Sequence, residues 1–273
     1  MNEPIAITCL MPAYNAEKYI AEAIESILAQ SFTDFELMII DDASTDATLA
    51  IAEHYQKRDP RIVILKNEKN FGIAISSNIG LEKARGKYIA KMDADDVSFP
   101  DRFMMQYQFM EQNPKVCLVG ASIEVCDATL KSIGKRSYRQ GDKEIRKKLF
   151  RFSPFAHPVC FYRTELAKRV GGYSFIFPVA IDYDFYFKIG KFGEFANLPA
   201  TLLKLRTHPG SISQTRARQQ QELTLYIRFK AVVEYGYSIT FMDKIYTIIQ
   251  WFGIKVFPTD WIFSIFHFVR RFL

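Results

Sequence analysis

Four times in the first 125 residues, a short apolar run ends in polar residues and gives way to a segment of helical spacing. Residues 5–11, 35–40, 62–65 and 88–92 are apolar and of strand length. Ile20, Ile24, Ile27 and Leu28 fall at helical spacing, and residues 45–57, 73–84 and 100–112 continue the alternation. Asn15 is placed to cap the first helix, with Glu17 in its first turn. Asp59-Pro60 and Gly86 act as stops, and residues 116–125 return to strand. Repeated strand–helix–strand units require right-handed crossovers, and hence an α/β fold with a mostly parallel sheet and flanking helices. In such sheets ligands bind beyond the carboxyl ends of the strands. The polar residues collect there: Pro12, Tyr14 and Asn15 after the first strand, Asp41, Asp42, Ser44 and Asp46 after the second, Asn70 and Gly72 after the third, and Asp93, Asp95 and Asp96 after the fourth.

A chain of 273 residues holds one large α/β domain, or one domain with an appendage. Its 49% hydrophobic content supports a full core and excludes global disorder. The net charge of +6 points to an anionic partner without choosing among phosphate ligands, acidic membranes and nucleic acid. Cys9, Cys117, Cys126 and Cys160 lie far apart, with no paired spacing and no histidine at zinc-ligand distance, so they read as reduced core residues of a cytoplasmic protein. Residues 1–4 lack the basic start of a signal peptide, and no run reaches the roughly 18–20 apolar residues of a membrane span.

The second half is less regular. Residues 157–163 and 196–205 read as strands and residues 182–191 as a helix. Gly171-Gly172 ends a short helix, and residues 214–235 form a helix polar on one face. Between Lys131 and Arg151, nine Lys/Arg stand against Asp142 and Glu144. That run is either a solvated helix face and loop or a rim that meets phosphates of an acceptor or a membrane lipid. Residues 245–269 are rich in Ile, Phe and Trp, with Trp251 and Trp261, but Lys255, Pro258 and Asp260 interrupt them and Arg270-Arg271 follow. This pattern suits lying in a membrane interface, and also packing on the catalytic domain or a second subunit. The expected division is 1–213 (halves 1–125 and 126–213) and a helical, amphipathic 214–273.

Asp93, Asp95 and Asp96 repel one another unless a cation intervenes. Carboxylates suit Mg2+ or Mn2+, which would neutralise charge growing on a diphosphate leaving group. The alternative is a turn whose aspartates cap the helix near Pro100. Asp41-Asp42, likewise, either accepts hydrogen bonds from a ribose or base or caps the next helix.

The ordered motifs resemble a family 2 glycosyltransferase. They are Pro12-Ala13-Tyr14-Asn15, Ser26 to Phe32, Phe35 to Asp46, Asn70-Phe71-Gly72, Asn78-Ile79-Gly80, Gly86 to Ala90, Asp93-Ala94-Asp95-Asp96 and Pro100-Asp101-Arg102. The match is dense over residues 5–125 and thinner to about residue 213. The resemblance implies a GT-A fold and inverting transfer from a nucleoside diphosphate sugar, often UDP-linked. The implied acceptor is a saccharide or lipid-linked molecule of bacterial surface polysaccharide or glycolipid synthesis. By position, Pro12, Tyr14 and Asn15 line the nucleotide pocket, Asp42 reads the base with Asp41 beside it, and Asn70 and Gly72 form a nucleotide-side loop. Asp93 and Asp95 match the DxD pair, with Asp95 the direct ligand of Mn2+ or Mg2+.

The base motif departs from the family: Ile181 replaces the usual Glu, but the aspartate that acts as general base is kept as Asp182, with Asp184 the alternative and helix capping its other reading. Ser77 stands where many relatives carry Arg. His208, in Thr207 to Ser213, is positioned to reach the metal or diphosphate, and His157 to line the acceptor side. Competing readings are an inactive sugar-nucleotide-binding or scaffold protein and a nucleotidyltransferase. The latter would show a glycine-rich basic loop where Pro12-Ala13-Tyr14-Asn15 stands. No nucleic-acid motif is present. Peripheral contact with the cytoplasmic membrane face and homo-oligomerisation stay open.

Overall fold

The computed structural model describes residues 5–208 and 216–256. Strands β1 (Ile7–Ala13), β2 (Phe35–Asp41), β3 (Ile62–Lys66) and β4 (Tyr88–Lys91) pair in parallel in the order β3-β2-β1-β4. Helices α1 (Ile20–Leu28), α2 (Thr48–Gln56) and α3 (Ile73–Lys83) make the crossovers. The chain moves outward from β1 to β3 and then returns to β4 on the other side of β1. The sheet's direction of winding therefore reverses at β1, which opens a crevice at the carboxyl ends of β1 and β4.

Alternation along the strands supplies both faces of the core. Cys9, Met11, Leu37 and Ile39 pack on one side with Ile20, Ile24 and Ile27 of α1, while Leu10, Met38 and Ile40 pack on the other with Ala74 and Leu81 of α3. Gly80 permits the second contact, since a Cβ there would lie 2.3 Å from Leu10 Cδ1.

Beyond β4 the sheet becomes mixed. β5 (Val97–Ser98) and α4 (Arg102–Gln112) lead into β6 (Val116–Cys126), and β7 (Ser132–Arg136) folds back on β6. After α5 (Asp142–Lys148), β8 (Phe161–Arg163) inserts antiparallel between β4 and β6. Then come α6 (Thr164–Arg169), α7 (Ile181–Ile189) and β9 (Glu194–Arg206), which runs parallel to β6 and antiparallel to β5. Helices α8 (Ala217–Val233) and α9 (Phe241–Val256) close the described chain.

Three local expectations change. Asn15 does not cap α1, which begins at Ile20 after Tyr19. Asn15 instead takes a left-handed φ of 49°, and its Oδ1 accepts from the Thr45 N–H at 2.9 Å, while Glu17 accepts from the Ala47 N–H at 3.0 Å. The first two loops thus satisfy part of each other's backbone, while Asp46 Oδ1 also accepts from the Thr48 N–H at the start of α2. The expected strand at 157–163 is a 3-10 turn, His157–Val159, followed by β8. The basic run divides between the exposed β7 and α5. Within it Arg146 turns inward to the Gly190 and Gly193 carbonyls and Arg151 to Asp243. All four cysteines are buried and free. Among the described residues no helix is long and apolar enough to cross a membrane; Trp261 and Arg270-Arg271 lie outside them.

Candidate active site

The β1 and β2 ends come first. Pro12 is half-buried opposite Ile40, Tyr14 is exposed, and Asn15 holds the Thr45 turn. Asp41 and Asp42 are buried. Asp42 binds the chain after β3: its Oδ1 accepts from Asn67 Nδ2 at 2.7 Å and the Phe71 N–H at 2.9 Å, and its Oδ2 from the Gly72 N–H at 2.8 Å. Gly72 has φ +86°, a value that favours glycine, and opens α3. Asn70 is exposed on the same loop. Asp41 Oδ2 accepts from the Ser44 N–H, while its buried Oδ1 has no partner among the described residues. Ser77 is fully buried in α3, directed into the fold.

The aspartates after β4 each meet a different partner. Asp93 Oδ1 lies 2.7 Å from Lys91 Nζ, a fully buried ammonium that also donates to the Met92 carbonyl at 3.0 Å. Burial pushes the Asp93 carboxyl up, but the Lys91 ammonium outweighs it and holds it below the ordinary range. Asp95 Oδ2 lies 3.0 Å from His208 Nε2, at the end of β9. Burial and the charge of Asp93 raise the Asp95 carboxyl, with His208 opposing them. Asp96 is buried and accepts from the Arg206 N–H at 2.9 Å; burial and its two neighbours raise its carboxyl well above the usual range. Arg206 also donates to the Asp95 carbonyl at 2.7 Å and pairs with Glu22. Sequence reasoning missed Lys91, Arg206 and Asn67. The one signal for Lys91 was a charge at the end of an otherwise apolar buried strand.

Asp182 sits in the first turn of α7, entered through Ala180 at a left-handed φ of 57°. The residue at the N-cap position is Ala180, whose methyl side chain cannot cap. Burial raises the Asp182 carboxyl to about 6, against the backbone amides of Tyr183 and Asp182 and the Tyr186 hydroxyl (3.4 Å from Oδ2), and the charge of Asp93 adds to the rise. Asp93 and Asp182 therefore share one electrostatic neighbourhood. Asp184, the alternative base, is fully buried and bound to the Tyr235 hydroxyl at 2.8 Å and to Lys230 at 3.4 Å, so it is out of reach of an acceptor. His157 Nε2 meets the Tyr173 hydroxyl at 3.0 Å, which meets that of Tyr162 at 2.9 Å. Burial and Lys91 lower the His157 ring to about 3, with Asp93 opposing, so it stays neutral.

Residues 8–171 match the Glycosyl transferase family 2 profile. The chain belongs to glycosyl transferase family 2. It is 29% identical over 234 residues to the amylovoran biosynthesis glycosyltransferase AmsE of Erwinia amylovora, spanning 84% of this chain and 87% of that one. Its fold is similar to that of S. aureus TarS 1–349 in complex with UDP-GlcNAc (TM-score 0.68, 21% identity, 85% of this chain and 69% of that one). It is also similar to that of the Pyrobaculum calidifontis mannosyltransferase PcManGT in complex with GDP-Man and Mn2+ (TM-score 0.65, 17% identity, 97% and 74%). The protein is thus a glycosyltransferase of GT-A fold that uses a nucleotide sugar.

Proposed function

We propose that this glycosyltransferase moves a sugar, with inversion, from a UDP-linked donor to a hydroxyl of a saccharide or lipid-linked acceptor in surface polysaccharide or glycolipid synthesis. The observation that carries the reading is that burial raises the Asp182 carboxyl to about 6 at a position that feels the charge of Asp93, one of the aspartates after β4. AmsE, named for biosynthesis of a polysaccharide, supports the acceptor class. The TarS complex with UDP-GlcNAc supports the donor class.

The donor set suits a hard divalent cation. Asp95 and His208 stand 3.0 Å apart, each partly exposed, and among the described residues no three acidic, histidine or cysteine side chains close a cage. Asp95 and His208 would hold Mn2+ or Mg2+, with Asp93 beside them; PcManGT, in complex with GDP-Man and Mn2+, lends support. When bound, that ion supplies charge neutralisation to the departing diphosphate. The rest falls to the chain. Pro12, Tyr14, Asn15 and Asp41 line the nucleoside side, and Asp42 holds the loop that carries Asn70, through Asn67, Phe71 and Gly72, as it faces the base. Asp182 takes the proton from the acceptor hydroxyl as its oxygen bonds to the anomeric carbon and the bond to the diphosphate breaks.

The exposed Phe241, Ile248, Ile249, Trp251 and Phe252 of α9 fit peripheral contact with the cytoplasmic membrane face. The decisive experiment is a screen of nucleoside diphosphate sugars with and without Mn2+, read by thermal shift and then by transfer. Stabilisation by UDP-sugars that needs Mn2+ supports the reading. Absence of any nucleotide-dependent shift sinks it.

A further inference from the structure

The loop that leads into α7 and Asp182 carries its apolar residues outward. Phe175 and Ile176 are 74% and 55% exposed, although the next residue, Phe177, is buried. Phe177 packs its ring 6.0 Å from that of Tyr226 and lies beneath the Lys230 ammonium at 5.2 Å, which fixes the loop to α8. From that contact the apolar surface continues along α8. Tyr226, Phe229 and Val233 fall at i, i+3 and i+7, on one face, and are 50%, 64% and 63% exposed. The opposite face of α8 is already buried, through Ile227, Arg228 and Ala231. Nothing in the core therefore requires this outer stripe to be apolar. A continuous apolar surface of this kind marks a contact site.

Its position limits what covers it. The surface borders the first turn of α7, where the acceptor hydroxyl must reach Asp182. A protein seated there permanently would close that approach, whereas a bilayer covers the surface and delivers the acceptor from the side. Arg216, exposed at the start of α8 beside the Arg218–Glu222 pair, and the net charge of +6 complement an anionic leaflet. We infer that Phe175, Ile176 and the Tyr226–Phe229–Val233 stripe form a bilayer-facing lip, by which the enzyme takes its acceptor from an anionic membrane surface. This rests on the glycosyltransferase reading of Asp182, and it is separate from any contact made by α9.

The full chain is incubated with vesicles of equal parts phosphatidylglycerol and phosphatidylethanolamine. Ile176→Cys, labelled with an environment-sensitive fluorophore, reports the lip, and the buried native cysteines leave that label selective. The expected results are a blue shift on vesicle binding and at least ~10-fold weaker binding of Phe175→Ser/Ile176→Ser, from the loss of two apolar side chains. Stabilisation by UDP with Mn2+ should be the same in wild type and variant, which shows that the variant is folded and that the donor side is intact. Unchanged vesicle binding by the variant, a label that stays in water while the protein is bound, or a wild type that does not bind overturns the lip. So does a dimer that the double substitution dissociates, which would make the surface a contact between copies. Failure of UDP and Mn2+ to stabilise even the wild type counts instead against the donor reading.

Discussion

The Lys91 ammonium lies 2.7 Å from the Asp93 carboxylate with no part of its side chain reaching solvent. A lone buried ammonium is strongly disfavoured, so Asp93 is as necessary to Lys91 as the reverse. Removing one partner of such a pair costs more than replacing both. Lys91→Met should therefore lower stability by about 2–4 kcal/mol. Lys91→Met/Asp93→Asn should recover much of that in denaturant melts. Equal losses for the single and double variants would show that the ion pair contributes nothing.

Asp182 links activity to stability with opposite signs. The proposed base acts as the carboxylate, so transfer should fall about tenfold per pH unit below about 6 and level off above it. Its folded pKa lies above the unfolded value of 3.8, so the folded state favours the proton; that contribution to stability is complete below about 4 and is lost as pH rises through about 6. Asp182→Asn should therefore abolish transfer and keep nucleotide binding. It should also gain up to about 3 kcal/mol at pH 7, the free energy by which a carboxyl that titrates at about 6 rather than 3.8 resists ionisation in the fold. An acidic limb that survives in residual Asp182→Asn activity would assign the base elsewhere.

Asp184 separates the two aspartates of α7. Its carboxylate is buried against Tyr235 and Lys230 of the α8 region. Asp184→Asn should lower the melting temperature, through about 1–3 kcal/mol of lost charge-assisted bonding, while the acidic limb of the pH profile stays in place. A displaced limb would make Asp184 part of the proton-transfer machinery.

The parallel half of the fold was readable because each strand there is apolar on both faces and ends in polar residues, as β1 and β2 show. The aspartates were readable for the same reason: the carboxyl ends of parallel strands gather at one edge. What could not be read depended on long-range pairing. Asn15 looked like a cap because its sequence neighbours suit one, but its partner is Thr45, on the neighbouring loop after β2. Arg206 gave no local pattern, because it is explained by a carbonyl that folding brings to it from 111 residues away. The insertion of β8 between β4 and β6 likewise follows from packing, with Phe161 and Tyr162 buried on opposite faces, rather than from any periodicity in residues 157–163.

Asp42 should act on the donor through the backbone. It holds the amides of Phe71 and Gly72 and the Asn67 side chain. Asp42→Ala leaves three donors without their acceptor, a loss of about 1–3 kcal/mol because water reaches part of this loop. The expected kinetic signature is a donor KM raised about tenfold or more, with a smaller change in kcat. Hydrogen exchange at Phe71 and Gly72 should quicken while the β1 amides stay protected. A fall in kcat alone would remove Asp42 from the binding side.

Asp95 tests the metal directly. Its carboxyl is raised by burial and by Asp93, and His208 is the opposing partner, so a cation bound there relieves the same repulsion. In Asp95→Ala, calorimetry should show at least ~10-fold weaker Mn2+ binding in the presence of UDP, since one of few protein ligands is gone. UDP binding without metal should change little, because the proposed nucleoside contacts lie at β1 and β2. His208→Ala should weaken the metal less than Asp95→Ala, as a neutral ligand contributes less charge than a carboxylate. Transfer that survives Asp95→Ala in the presence of chelator would show that leaving-group charge is met by the chain's own cations, such as Lys91 and Arg206, which bond to this corner.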